Sequence, residues 1–381
     1  MSKNIVVCLD GTNNQLRAAV NTNVVRLFAM LDLSDPSQQV GYYDPGVGTF
    51  SSAAAWTPVA RAVSRYAGLM FGAGLRQNLG EAYSYVMSVY EPGDRLFIFG
   101  FSRGAYTARA LAGMLEVFGV FRRGSDNLIP YAVSEYAKQE RPDEQFFEVL
   151  RTYARIHAVA HADRPRDHAP VHFMGLWDTV KAAGHLGRTL RWPYTRQLPH
   201  TQTVRHAVSV DEDRRPYAAY LVHETDERHL LASTDQDIVE AWFAGVHSDV
   251  GGMFAKGARL SDIPLKWIAD EAVAHGLLVR PRAYREASAL DGVDPAGAVH
   301  KMSRWWRLLG PGRRVVPEGA NLHASVADRL SVDGSYARRL PHRYTFVDPD
   351  WRTARPRPQP AATAEGNRSA MGAPASQQVI S

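Results

Sequence analysis

Residues 95–115 read RLFIFGFSRGAYTARALAGML, and no other stretch restricts the fold of the chain so tightly. The run RLFIFGF is apolar almost throughout, as expected of a strand buried on both faces of a parallel sheet. The segment from Ala105 to Leu115 has helix-forming composition. Between them stands Gly100-Phe101-Ser102-Arg103-Gly104, a G-x-S-x-G pentapeptide. A serine there is expected on a tight strand-to-helix turn, with Oγ projecting above the sheet edge. Gly100 and Gly104 are the positions where a Cβ would meet the neighbouring strand and helix. The helix that follows aims its positive end at the turn, where the Arg103 amide can donate to a developing oxyanion.

The rest of the first half repeats this alternation. NIVVCLD (4–10) is a strand ending in Asp10-Gly11-Thr12, and NTNVVRLFAML (21–31) a capped helix. QVGYYDPGVG (39–48) is a second strand, and LRQNLGEAYSYVMSVY (75–90) is amphipathic at helical spacing. Such alternation predicts a doubly wound, mostly parallel α/β sheet with helical and loop insertions. VHFMGLW (171–177), VRHAVSV (204–210) and VEAWFAGV (239–246) are three further strands, running into turns that carry Asp178, Asp211 and His247. VEAWFAGV is the last strong strand signal. LSDIPLKWIADEAVAHGL (260–277) is a clear helix, and Trp192-Pro193-Tyr194 sits in an excursion above the sheet. One domain is expected over 1–350, and residues 351–381, rich in Pro, Ala and Gly, read as a disordered tail.

Charge argues against a nucleic-acid partner. The formal net charge is +5, but three of those five charges fall between Arg352 and Ser381, so no basic groove is indicated. Cys8 is the single cysteine, which excludes an intrachain disulfide. No signal peptide or membrane-spanning stretch is visible, so synthesis in the cytoplasm is expected.

Five motifs occur in order: CLDGTNN, YYDPGVGT, GFSRGAYTARALAGML, GLWDTV and WFAGVHSDVGG. Over about residues 3–278 the chain resembles the domain of unknown function 2235 (DUF2235) family. That family includes the catalytic domains of the Tle1-group lipase effectors of type VI secretion. The resemblance implies an α/β-hydrolase fold, Ser-Asp-His ester hydrolysis and, in the effector branch, phospholipase activity without a cofactor. For an effector it also implies export by a type VI system, a secretion-spike partner and an immunity protein.

A serine hydroxyl needs a histidine to take its proton and a carboxylate to orient that histidine. In this fold the order is Ser, acid, His. His247, just past VEAWFAGV, is the expected base, with His323 the rival. Asp178 and Asp211 both stand as candidates for the acid. Asp178 is favoured because it lies in GLWDTV and has uncharged neighbours, whereas Asp211 is crowded by Glu212, Asp213, Arg214 and Arg215. Gly11 or Thr12 is expected to join Arg103 in the oxyanion hole, although Asp10 is an awkward neighbour unless it points away or is paired. Arg109 is expected to pair with a buried acid, and Asp249 to support or shape the histidine loop.

Two rival readings have different signatures. Asp10, His247 and Asp249 suit a metal-assisted phosphoesterase, and a hydrolase-fold scaffold would act through contacts alone. Residues 301–317, KMSRWWRLLGPGRRVVP, mix tryptophans and leucines with cations, including Arg313 and Arg314. This composition suits either peripheral contact with an anionic bilayer or a short helix packed on the domain. The substrate expected is a lipid or a small ester.

Overall fold

A computed structural model describes residues 2–11, 21–46, 72–138, 171–180, 192–222, 236–254, 259–300 and 312–353, with isolated positions between 148 and 159. Eight strands form a single sheet: β1 (Asn4–Leu9), β2 (Gln39–Asp44), β3 (Arg95–Phe101), β4 (Val171–Trp177), β5 (Thr201–Ser209), β6 (Asp237–Phe243), β7 (Ala320–His323) and β8 (Tyr344–Val347). Their order is β2-β1-β3-β4-β5-β6-β7-β8, and every pair is parallel. This is an α/β fold of hydrolase-like architecture, as the alternation and the family resemblance together predict.

The helices among the described residues are α1 (Asn23–Met30), α2 (Gly72–Val89), α3 (Arg103–Phe118), α4 (Ile129–Lys138), α5 (His247–Gly251), α6 (Asp262–Ala274), α7 (Pro281–Ser288) and α8 (Ser325–Val332). Successive strand residues point to opposite faces, so one strand feeds two cores. Ile5, Val7 and Leu9 of β1 join Leu96 and Ile98 of β3 in a core with α2, α3 and α4. Val6 and Cys8 join Phe97, Phe99 and Phe101 in the opposite core, against α1 and α6. Both faces are apolar, which is why these strands read as continuous hydrophobic runs.

Two strands escaped the sequence reading. β7 (ANLH) and β8 (YTFV) have four residues each, and β8 is largely exposed at the sheet edge. Segments of only four residues carry no periodicity to detect, so β6 is not the last strand. Trp351, where the tail was expected to start, is buried edge-on against His323. Residues 354–381 lie outside the described part, as do 301–311. Among the described residues no helix is long and apolar enough to cross a membrane.

Strand order reverses at β1, which has β2 on one side and β3 on the other. In open parallel sheets such a reversal leaves a crevice at the carboxyl ends of the strands. Register brings those ends level. Leu9 lies opposite Gly100, Phe101 opposite Trp177, and Trp177 opposite Ala207. The loops carrying Asp10, Ser102, Asp178 and Asp211 therefore emerge side by side.

Candidate active site

Ser102 has φ 60° and ψ −122°, a left-handed conformation rare for a residue with a side chain. The turn holds it there because the glycines of the pentapeptide allow close contact. A Cβ on Gly104 would sit 2.2 Å from the Leu9 carbonyl, and one on Gly100 would sit 2.6 Å from the Ala105 Cα. The Ser102 amide donates to the Trp177 carbonyl at 3.0 Å, which ties the turn to the end of β4. The expectation of a hydroxyl standing clear of the sheet needs one adjustment. Ser102 is only 5% exposed, so its hydroxyl sits in a largely buried setting.

His247 opens α5 just beyond β6. Its Nε2 lies 2.9 Å from Ser102 Oγ, and its Nδ1 lies 2.5 Å from Asp178 Oδ2. An ionised carboxylate only accepts, so Nδ1 carries the proton and Nε2 accepts from the serine hydroxyl. The ring stacks on Phe101 at 4.7 Å, and Tyr217 meets it edge-on at 4.9 Å. The glycine after this histidine has a defined purpose. A Cβ on Gly251 would fall 1.9 Å from the Phe101 ring, so only glycine lets α5 settle this close.

Asp178 follows β4 in a left-handed conformation, with φ 43°. It is fully buried, and both oxygens are saturated. Oδ1 accepts from the Ser209 amide at 2.9 Å and from Arg314 Nη1. Oδ2 accepts from His247, from Ser209 Oγ at 3.2 Å and from Arg314 Nη2 at 3.0 Å. Burial alone would raise this carboxyl's pKa. The Arg314 charge and the hydrogen bonds from His247 and Arg314 outweigh it and hold the group below the usual carboxylate range. His247 is shifted down from 6.5, because burial and the Arg314 and Arg214 charges exceed the pull of Asp178. The imidazole is therefore neutral at pH 7.

Asp178 and not Asp211 is brought to His247, but the reasoning from isolation fails. Asp178 is itself bound by an arginine, one that lies 136 positions away in sequence. Asp211 shapes the histidine loop instead, accepting from the Gly245 amide and the Tyr336 hydroxyl, each at 2.7 Å. Its neighbour Glu212 accepts from the His247 amide at 3.2 Å while paired with Arg214. His323 is remote in function. It is buried, stacked on Phe243 at 4.4 Å, with Nδ1 2.9 Å from Ser325 Oγ and Nε2 3.3 Å from Asp348.

The oxyanion assignments divide. Arg103 is the first residue of α3, in the turn whose amides have no intrahelical acceptor. Gly11 does not fit the expectation, since its amide donates to Asp10 Oδ1 at 2.6 Å. Asp10 is turned into its own loop, where it also accepts from Thr22 at 2.5 Å and Tyr43 at 3.0 Å. Thr12 lies outside the described residues. Asp249 shapes the loop, accepting from the Val246 amide at 3.0 Å and pairing with His300 at 2.5 Å. Among the described residues Arg109 meets no acid directly. It is buried, with Nη1 donating to the Tyr220 carbonyl and its guanidinium 4.5 Å from the Tyr220 ring centre.

The metal reading is not supported. Both His247 nitrogens are occupied by Ser102 and Asp178, and Asp10 and Asp249 are engaged in separate loops. No group of three metal-ligating side chains occurs among the described residues. The proposed bilayer patch also loses members. Arg314 and Val316 are buried, Arg314 against Asp178 and Val316 in a core with Val208 and Trp242. Trp192 is buried as well, so it is packed cover.

Residues 3–271 match the family described as T6SS, phospholipase effector Tle1-like, catalytic domain. The chain belongs to that family. This Tle1-like domain is also 35% identical, over 411 aligned positions, to the uncharacterized yeast protein YEL023C (Saccharomyces cerevisiae), covering 74% of the chain and 59% of the yeast protein. Two solved structures resemble it more distantly. One is an uncharacterized protein from Pseudomonas aeruginosa, at TM-score 0.45 and 20% identity, covering 75% of this chain and 48% of that one. The other is the Tle1 effector bound to the VgrG spike of a type VI system, at TM-score 0.34 and 14% identity, covering 68% and 52%. The Tle1-like domain thus spans about half to three fifths of the length of these relatives. Its matched interval contains Ser102, Asp178 and His247 but not Arg314.

Proposed function

We propose that the chain is a serine hydrolase that cleaves carboxylic esters, most fittingly the acyl esters of phospholipids, through an acyl-Ser102 intermediate. The observation that carries this reading is the hydrogen-bonded chain from Ser102 Oγ to His247 Nε2 at 2.9 Å and from His247 Nδ1 to Asp178 at 2.5 Å.

The chemistry follows from that chain. His247 Nε2 takes the proton as Oγ attacks the ester carbonyl, and Asp178 stabilises the imidazolium so formed. The negative charge on the carbonyl oxygen is met by first-turn amides of α3, the Arg103 amide among them. Collapse expels the alcohol, which receives the proton from Nε2. Water, deprotonated by the same nitrogen, then attacks the acyl carbonyl and restores the Ser102 hydroxyl. The buried surroundings strengthen each of these interactions. Phospholipid as substrate rests on the family description. A secretion spike, an immunity protein and type VI export are likewise proposals drawn from that family.

Wild type and Ser102→Ala, assayed on short p-nitrophenyl esters and on mixed phospholipid vesicles, test the reading. Ser102→Ala is expected to lose roughly 10⁴-fold or more in kcat, together with labelling by a fluorophosphonate. Equal rates for the two proteins would remove the serine mechanism. Activity confined to short esters would remove the phospholipid assignment alone.

A further inference from the structure

Beyond the interval that matches the family, residues 312–316 run as an extended segment across the site. Their burial alternates: Arg313 and Val315 face outward, while Arg314 and Val316 are buried. The Gly312 amide donates to the Asp213 carbonyl at 2.9 Å and the Arg314 amide to the Glu212 carbonyl at 3.3 Å. Only a glycine fits at 312, since a Cβ there would lie 2.3 Å from the Arg215 Cα. The segment is thus sewn onto the acidic turn after β5, with Val316 anchored in the core beneath.

Pinned in this way, the Arg314 guanidinium makes two sets of contacts. Nη1 and Nη2 grip the two oxygens of Asp178, and Nη1 also reaches Ser209 Oγ at 2.7 Å. Nε and Nη2 donate to the Tyr217 carbonyl, and the Tyr217 ring forms one wall of His247. We propose that residues 312–316 form a strap that completes the active site, with Arg314 as the positioning residue that holds Asp178 against His247 and fixes the Tyr217 wall. The proposal rests on the serine-hydrolase reading above.

Physical reasons favour arginine at this point. A planar fork sets the angle of a carboxylate as well as its distance, which a lysine ammonium cannot do. A buried carboxylate with that fork removed would be left partly unpaired and free to rotate away from Nδ1. The arrangement carries a drawback. A cation beside the acid opposes the imidazolium that forms during attack, so position is gained at the expense of basicity. The charged or titratable groups facing His247 are Asp178 after β4, Glu212, Arg214 and Tyr217 after β5, and Arg314 on the strap. Arg314 and Arg214 depress its protonation, and Asp178 favours it.

The test compares wild type, Arg314→Gln, Arg314→Lys and Ser102→Ala on a soluble p-nitrophenyl ester across pH, with folding checked by near-UV circular dichroism. For Arg314→Gln, kcat is expected to fall about 100-fold through misplacement of the acid, with KM changed less than about 3-fold. The acid limb of kcat/KM moves to higher pH, since a positive charge has left the histidine's surroundings. Arg314→Lys keeps the charge without the fork, so kcat falls by less and the acid limb stays near its wild-type position. Wild-type kinetics and an unmoved limb in folded Arg314→Gln overturn the strap. If that variant does not fold, wild-type kcat in Arg314→Lys overturns it. Equal rates for Ser102→Ala and wild type would instead sink the serine reading itself.

Discussion

The nucleophile turn and the acid's surroundings are both built for one purpose, yet they are encoded in opposite ways. The turn at Gly100–Gly104 is made by five consecutive residues spanning the junction of β3 and α3. Its demand is steric, so glycines at fixed offsets express it. The setting of Asp178 is assembled from the ends of β4 and β5, the loop at Tyr217, α5 and the strap at Arg314. Its demand is electrostatic, and charge can be delivered from any part of the chain that reaches the place. A backbone requirement leaves a local motif, whereas a charge requirement leaves none.

The comparison can be broken at Asp178. Asp178→Asn keeps the shape of the acid, but its amide cannot enforce the Nδ1–H tautomer and leaves Arg314 buried without a counter-charge. A fall of about 10⁴-fold in kcat is expected, with destabilisation of about 3–5 kcal/mol, measured by ester assay and urea unfolding. A loss under 10-fold would mean that charge around His247 matters far less than the turn.

A smaller effect lies in the pH profile of the wild type. His247 is held below 6.5, chiefly by burial. It acts as a base only when neutral, so the acid limb of kcat/KM should have its midpoint below pH 6.5. A limb centred above 6.5 would show that Asp178 outweighs burial and the two arginines. The smallest change is expected at His323→Asn, which removes a ring bonded to Ser325 and Asp348 and stacked on Phe243. Thermal stability should drop, while kcat of the folded protein stays within about 3-fold of wild type.

Much of this molecule is legible in its sequence. Six strands, the α3 turn and His247 follow from apolar runs, glycine spacing and chain order. Asp178 stands out over Asp211 only by its GLWDTV motif and by an isolation that it does not have. What escaped has physical reasons. β7 and β8 are four-residue strands too short for a repeating pattern, and β8 lies at the sheet edge. Arg314 sat among tryptophans and cations that suit a membrane surface, and only the folded chain turns it inward to Asp178. Ser209 is a serine in an ordinary strand. Gly11 has the expected place, but the adjacent Asp10 carboxylate takes its amide.

The contacts that join the reacting groups span 69, 136 and 145 positions of sequence. No fragment short enough to fold by local preference contains even one of these pairs. Competence to react is therefore a property of the assembled sheet as a whole, and measured turnover doubles as a gauge of how much of the protein has reached its final shape.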